Sequence, residues 1–119
     1  MAGIYIHIPF CKSRCKYCDF FSTTHLEKQH SYVDALLAEW QNRQHEIKAP
    51  IQTIYIGGGT PSTLPVEHLR NIVATIDNDL SRLQLRGMNI ESTLEANPGD
   101  ITFDKAKAWS DLGINRLSI

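Results

Sequence analysis

Apolar positions along this chain switch repeatedly between a two-residue and a helical period, and the switching predicts an alternation of strands and helices. Ile4 to Ile8 is a β-branched and aromatic run that stops at Pro9, the pattern of a first strand. Tyr5 and His7 share one face of it, turned towards a barrel interior or a site, although a packed or hydrogen-bonded core role is the simpler reading for His7. From Ser31 the period lengthens: Val33, Leu36, Leu37, Trp40 and Ile47 form a helical stripe, with Ser31 and Asp34 as a capping pair and Trp40 as core. After Ala49-Pro50, Gln52 to Ile56 is a second strand running into Gly57-Gly58-Gly59-Thr60-Pro61. Pro65 suits the first turn of a second helix, capped by Thr63, with the stripe Leu69, Ile72, Val73, Ile76, Leu80 and Leu83. A third strand follows Arg86-Gly87 through Ile90, Thr93 and Leu94 to Glu95-Ala96-Asn97-Pro98. Thr102 caps a third helix containing Ala106, Trp109 and Leu112, Gly113 ends it, and Arg116 to Ile119 begins a fourth strand.

The order βαβαβαβ predicts an α/β fold with a parallel sheet. In parallel α/β barrels the site is built from loops at the C-terminal ends of the strands. Three separate chemical signals land there: a cysteine loop, a glycine run and Glu95. A full eight-stranded barrel needs roughly 250 residues, so the expectation for these 119 residues is the N-terminal part of one domain, spanning 1–119 and stopping within its fourth strand. A formal net charge of −1 gives no basic surface for nucleic acid. No signal-like segment and no run of about eighteen apolar residues is present, which predicts a cytoplasmic protein without a membrane span. Thiols clustered in a reducing compartment are expected to bind metal rather than to pair.

All three cysteines lie in one stretch, Ile8 to Ser22, as Cys11, Cys15 and Cys18 in a CxxxCxxC spacing. Three is an awkward count for the common structural uses, since a disulfide leaves one thiol over and a closed zinc site wants four ligands. Zinc remains open if His7 or His25 supplies the fourth. An iron-sulfur cube on three thiolates leaves one iron for an outside ligand, and ligand counting favours it. Lys12, Arg14 and Lys16 alternate with the cysteines; they lower thiolate proton affinity and can steer an acidic electron donor, or simply solvate the loop. The glycines let a ligand lie against bare backbone or merely make a tight turn; the run has neither the P-loop Lys-Ser/Thr nor GxGxxG. Glu95 closes an apolar strand, a costly place for a carboxylate unless it pairs, for which Arg116 is a candidate, or binds something. Asn97, before a proline, reads as a turn residue, and His25, His30, His45 and His68 have no assigned role.

The run YIHIPFCKSRCKYCDF, followed in order by GGGTP, EANP and INRLS, resembles the radical S-adenosylmethionine (SAM) superfamily over essentially the whole chain. Within it, the residues Tyr5 to Cys11 resemble the oxygen-independent coproporphyrinogen III oxidase group, which includes the HemW-like heme chaperones. The resemblance implies a partial (β/α)6 barrel of TIM type. It also implies a 4Fe-4S cluster on Cys11, Cys15 and Cys18, and SAM against Tyr5, Tyr17, Gly58, Gly59, Thr60 and Glu95. Two functions follow from it. One is a heme chaperone that carries heme to an unknown acceptor with cluster and SAM as cofactors; the other is an oxidase that decarboxylates coproporphyrinogen III through a 5′-deoxyadenosyl radical. A flavodoxin-like electron donor fits either. The oxidases resemble CxxxCxxCxC and carry a long segment before the first strand, whereas this chain reads Cys18-Asp19-Phe20 and has only Met1 to Gly3 there, so the chaperone is expected.

Overall fold

Four parallel strands lie side by side in chain order: β1 (Ala2–Ile8), β2 (Ile51–Gly58), β3 (Arg86–Glu95) and β4 (Arg116–Ser118). They are seen in a computed structural model that describes residues 2–10 and 27–119. Three helices connect them, α1 (Glu27–Arg43), α2 (Val66–Arg82) and α3 (Phe103–Asp111). Parallel neighbours require such crossovers, because a tight turn cannot return the chain to the same end of the sheet.

One sheet face is apolar and covered. Ile6, Ile8, Ile54, Ile56 and Leu94 pack with Val33 of α1, with Leu69, Ile72, Ile76 and Leu80 of α2, and with Trp109 of α3 in one buried cluster. Burying a branched aliphatic side chain contributes about 1.5–3 kcal/mol, so this face holds the layers together. The other face carries Tyr5, Tyr55 and Glu95, and no helix among the described residues contributes to it the apolar cover found opposite. Tyr5 is 59 % exposed there.

Several local expectations change. Helix α1 begins at Glu27, so Ser31 lies inside it and caps nothing, while Asp34 instead faces His30 one turn back, Nε2 to Oδ2 3.4 Å. Buried Gln29 stands where the helical stripe would otherwise have started, which hides the first turn from a reading of apolar positions. Ile47 lies past the helix, after a 3-10 turn at Gln44–Glu46, but still packs on the core. Trp40 also packs there, its Nε1–H donating to Asp79 Oδ2 at 2.8 Å. Pro65 precedes α2 as its cap residue, and the Thr63 hydroxyl is turned away to Thr60 O at 2.8 Å. Thr102 caps α3 as expected, accepting from Lys105 N at 3.1 Å. Strand β3 starts at Arg86 and its register against β2 jumps before Glu91, where Asn89 takes a φ of 57°. Asn115 then aligns β4, accepting from Ser92 N and donating to Ile90 O, both at 2.9 Å.

Candidate site at the strand ends

The uncovered face ends in a polar cluster built by the two-residue period of three adjacent strands. Tyr5 of β1 and Tyr55 of β2 are register partners, and their rings stack with centroids 5.8 Å apart and planes at 13°. Two residues on, Gly57 replaces a side chain, and Glu95 of β3 occupies the space so released. Its Oε2 accepts from Tyr55 Oη at 2.8 Å and its Oε1 from Gly58 N at 2.9 Å. Arg116 goes to Glu91 at 3.3 Å, so the pairing anticipated for Glu95 is not formed.

Each glycine of the run meets a different requirement. A β-carbon on Gly57 would lie 2.8 Å from Glu95 Oε1, 2.8 Å from Tyr55 and 3.0 Å from Tyr5 Oη. Gly58 has a φ of 122°, and a β-carbon there would sit 2.6 Å from Ile8 O. Gly59 N and Thr60 N donate to Ile8 O and Phe10 O at 2.8 and 2.7 Å. Those bonds tie the glycine loop to the main chain immediately before Cys11. Phe10 itself is buried, its ring edge-on to Tyr32 at 5.5 Å, and the Tyr32 hydroxyl donates to His7 O.

Hydrogen bonding sets what this edge can hold. A residue has a single backbone N–H, and those of Gly58, Gly59 and Thr60 are engaged by Glu95, Ile8 and Phe10. Thr60 O already accepts from the Thr63 N–H and hydroxyl, so the main-chain acceptor this leaves in the loop is the Gly59 carbonyl, and beside it stands a carboxylate. An anion-binding nest needs free N–H groups, so a phosphate is poorly matched, whereas an ammonium donor is well matched. A cavity of about 460 Å³ opens at this point, bounded by Gly58, Gly59, Thr60, Glu95 and Asn97. A larger one, about 510 Å³, runs between β1 and α1 away from the glycines.

Electrostatics agree with the geometry. Burial, then the charges of Glu95 and Tyr55, push the Tyr5 phenol above its usual value of 10.0, which keeps it neutral beside the carboxylate. Its hydroxyl also approaches His7 Nδ1 at 3.4 Å.

A family model described as the Radical SAM superfamily matches residues 5–119. The chain belongs to the radical SAM superfamily. It is 40% identical over 124 residues to the heme chaperone HemW of Synechocystis sp., covering 97% of this chain and 28% of that protein. To the heme chaperone HemW of Lactococcus lactis it is 38% identical over 116 residues, with 97% and 29% covered. Among solved structures it superposes on coproporphyrinogen III oxidase (HemN) from Escherichia coli, described as a radical SAM enzyme, with a TM-score of 0.78 and 28% identity, covering 97% of this chain and 26% of that one. The chain thus spans under a third of the length of these proteins. The likeness to the solved structure also agrees with the expected barrel-type α/β fold.

Measured against the residues singled out beforehand, Gly58, Gly59, Thr60 and Glu95 come together around one cavity, and Tyr5 stands one strand away. Cys11, Cys15, Cys18 and Tyr17 lie outside the described residues, as does His25. His30 and His68 lie in the first turns of α1 and α2 with ring centroids 6.0 Å apart, and His45 lies in the 3-10 turn after α1; none of them borders the cavity at the glycine run. Asn97 makes the expected turn, its Oδ1 accepting from Gly99 N at 2.9 Å. The residues not foreseen are Tyr55 and Gly57. Both share the face of Tyr5 by the two-residue period, and that count was available for β2 as it was for β1. No helix among the described residues is long and apolar enough to cross a membrane.

Proposed function

We propose that this chain is part of a HemW-like heme chaperone that binds a 4Fe-4S cluster, SAM and heme. Cys11, Cys15 and Cys18 would ligate the cluster, and its open iron would face the cavity at the strand ends. The observation that supports the cofactor site most directly is the state of the loop's main chain: with three amides engaged, the Gly59 carbonyl and Glu95 suit the methionyl ammonium of SAM. Tyr5 and Tyr17 are the aromatic contacts of this reading. Bound together, a reduced cluster and SAM supply one-electron chemistry. The chain's own residues orient the ligand and keep the Glu95 carboxyl group aimed. Lys12, Arg14 and Lys16 would favour an acidic, flavodoxin-like reductant.

The chaperone is preferred to the oxidase because Phe20 stands where the oxidases resemble a fourth cysteine, and because HemW proteins match at 35–40% identity against 28% for the oxidase structure. Decarboxylation also needs a propionate held beside the reacting carbon, and rate depends steeply on such positioning. Carrying heme needs only unequal affinities of donor, carrier and acceptor. The test is to reconstitute the intact protein anaerobically, titrate heme, and assay protoporphyrinogen formation from coproporphyrinogen III with SAM and reductant. Heme binding without product is expected; multiple-turnover product formation would restore the oxidase.

A further inference from the structure

Behind the cavity lies a second, buried connection between its two walls. Ser62 follows the glycine run in the 3-10 turn Pro61–Thr63 and is 0% exposed. Its Oγ donates to Asp100 Oδ2 at 2.9 Å and accepts from Asn97 N at 3.0 Å, while its carbonyl accepts from Lys105 Nζ at 3.3 Å. Asp100 is itself 6% exposed and closes the turn after β3, with its N–H on Asn97 O at 2.8 Å. A small hydroxyl in the loop after β2 therefore organises the loop after β3 through both of its hydrogen-bonding functions.

The location decides what this lock can do. Ser62 is three residues from Gly59, and Asn97 is two from Glu95; Gly59, Glu95 and Asn97 all border the cavity, and Ser62 does not. At the strand ends the same two loops are joined by Gly58 N donating to Glu95 Oε1. Two separated links hold the loops at fixed spacing, where one would leave a hinge. Burial makes the inner link stiff, since a buried donor or acceptor left unsatisfied bears its full desolvation cost. A water-facing serine would impose no such constraint.

We infer that Ser62 and Asp100 are positioning residues for the ligand of this cavity, setting the separation between the glycine loop and Glu95. The inference rests on the SAM reading above. They touch no ligand; they act by fixing the two walls that do, so their loss raises the ordering cost of binding.

A double-mutant cycle in the intact, reconstituted protein tests this, using Ser62→Ala, Asp100→Ala and the pair, with SAM dissociation constants from calorimetry, iron content and melting curves. Each single change is expected to weaken SAM about tenfold at unchanged iron content. The pair should be about as weak as Ser62→Ala alone, rather than a hundredfold down, because Ser62→Ala already removes the bond to Asp100. Asp100→Asn keeps an acceptor for the Ser62 hydroxyl and should stay within about threefold of the parent. If Ser62→Ala does not fold, Lys105→Met, which removes only the ammonium contact to Ser62 O, should weaken SAM about threefold. Unchanged affinity in the folded variants, with a lowered melting temperature alone, would reduce the lock to a stability element and overturn the inference. A parent protein that fails to bind SAM would overturn the underlying reading as well, and the first titration reports that separately.

Discussion

Replacing Gly57 by alanine adds one methyl group, and its position makes the result informative. The new β-carbon would meet Glu95 Oε1 and Tyr55 at 2.8 Å and Tyr5 Oη at 3.0 Å. All three neighbours are side chains, and Gly57 is not among the glycines with positive φ, so the backbone can accept alanine and the side chains must give way. They cannot do so independently. Glu95 is held by Tyr55 at 2.8 Å and by Gly58 N at 2.9 Å, and the methyl group pushes the carboxylate and the tyrosine away from the same point. Losing one hydrogen bond to a charged group costs about 1.5–3 kcal/mol. With about 1.4 kcal/mol per tenfold, a ligand that depends on the pose of Glu95 should bind roughly 10- to 100-fold more weakly. Calorimetric titration of SAM into the reconstituted intact protein, beside iron content and far-UV circular dichroism, measures this. Unchanged affinity at full iron content would show that the carboxylate is not part of the SAM site, whatever its hydrogen bonds.

Changing Cys11, Cys15 or Cys18 singly to alanine should deplete iron in each case, and a stoichiometric zinc complex in the parent would refute the cluster assignment. Trp40→Phe keeps one aromatic ring in the packing but drops the pyrrole portion and the bond to Asp79, and the lost bond alone should cost about 0.5–1.5 kcal/mol in a urea melt, with the lost packing adding to it. The phenols of Tyr5 and Tyr32 are both pushed above 10.0 chiefly by burial, then by Glu95 for Tyr5 and Glu39 for Tyr32. The unfolded chain therefore loses these protons first. Their contribution to stability should be intact below pH 10 and decline as pH rises through the folded values, seen as delayed phenolate absorbance and weaker melts on the alkaline side.

The elements that apolar spacing reveals are those whose apolar face is continuous. Strand β1 and helix α2 were legible because Ile6 and Ile8, and Leu69, Ile72, Ile76 and Leu80, are buried at the spacing of a single face. The first turn of α1 was not, because polar Gln29 takes a buried position at its start. Thr63 had the chemistry of a cap, but a closer carbonyl at Thr60 took its hydroxyl, and such local competition has no signature in spacing. Within the site, the glycines and Glu95 stood out because each is anomalous at a strand end. Tyr55 did not, since an aromatic residue in a strand is ordinary, and only the register with Tyr5 and the reach to Glu95 give it a role. Ser62 and Asp100 are common turn residues whose importance comes from burial, a property of the assembled loops.

The composition of the uncovered face ties these observations to function. A closed eight-stranded barrel fills its interior with layers of branched aliphatic side chains. Here the inward positions read Tyr5 and His7, then Tyr55 and Gly57, then Thr93 and Glu95, polar or small throughout. On the opposite face the same strands offer Ile6, Ile8, Ile54, Ile56 and Leu94. A face of that kind cannot repay its desolvation by packing against itself, because a buried hydroxyl or carboxylate costs free energy unless every polar atom is matched. The Tyr55–Glu95–Gly58 bonds match part of it and direct the rest towards one opening. The strands therefore do two different jobs on their two faces: the aliphatic side makes the layers cohere, and on the proposed reading the polar side is matched by a ligand with donors of its own.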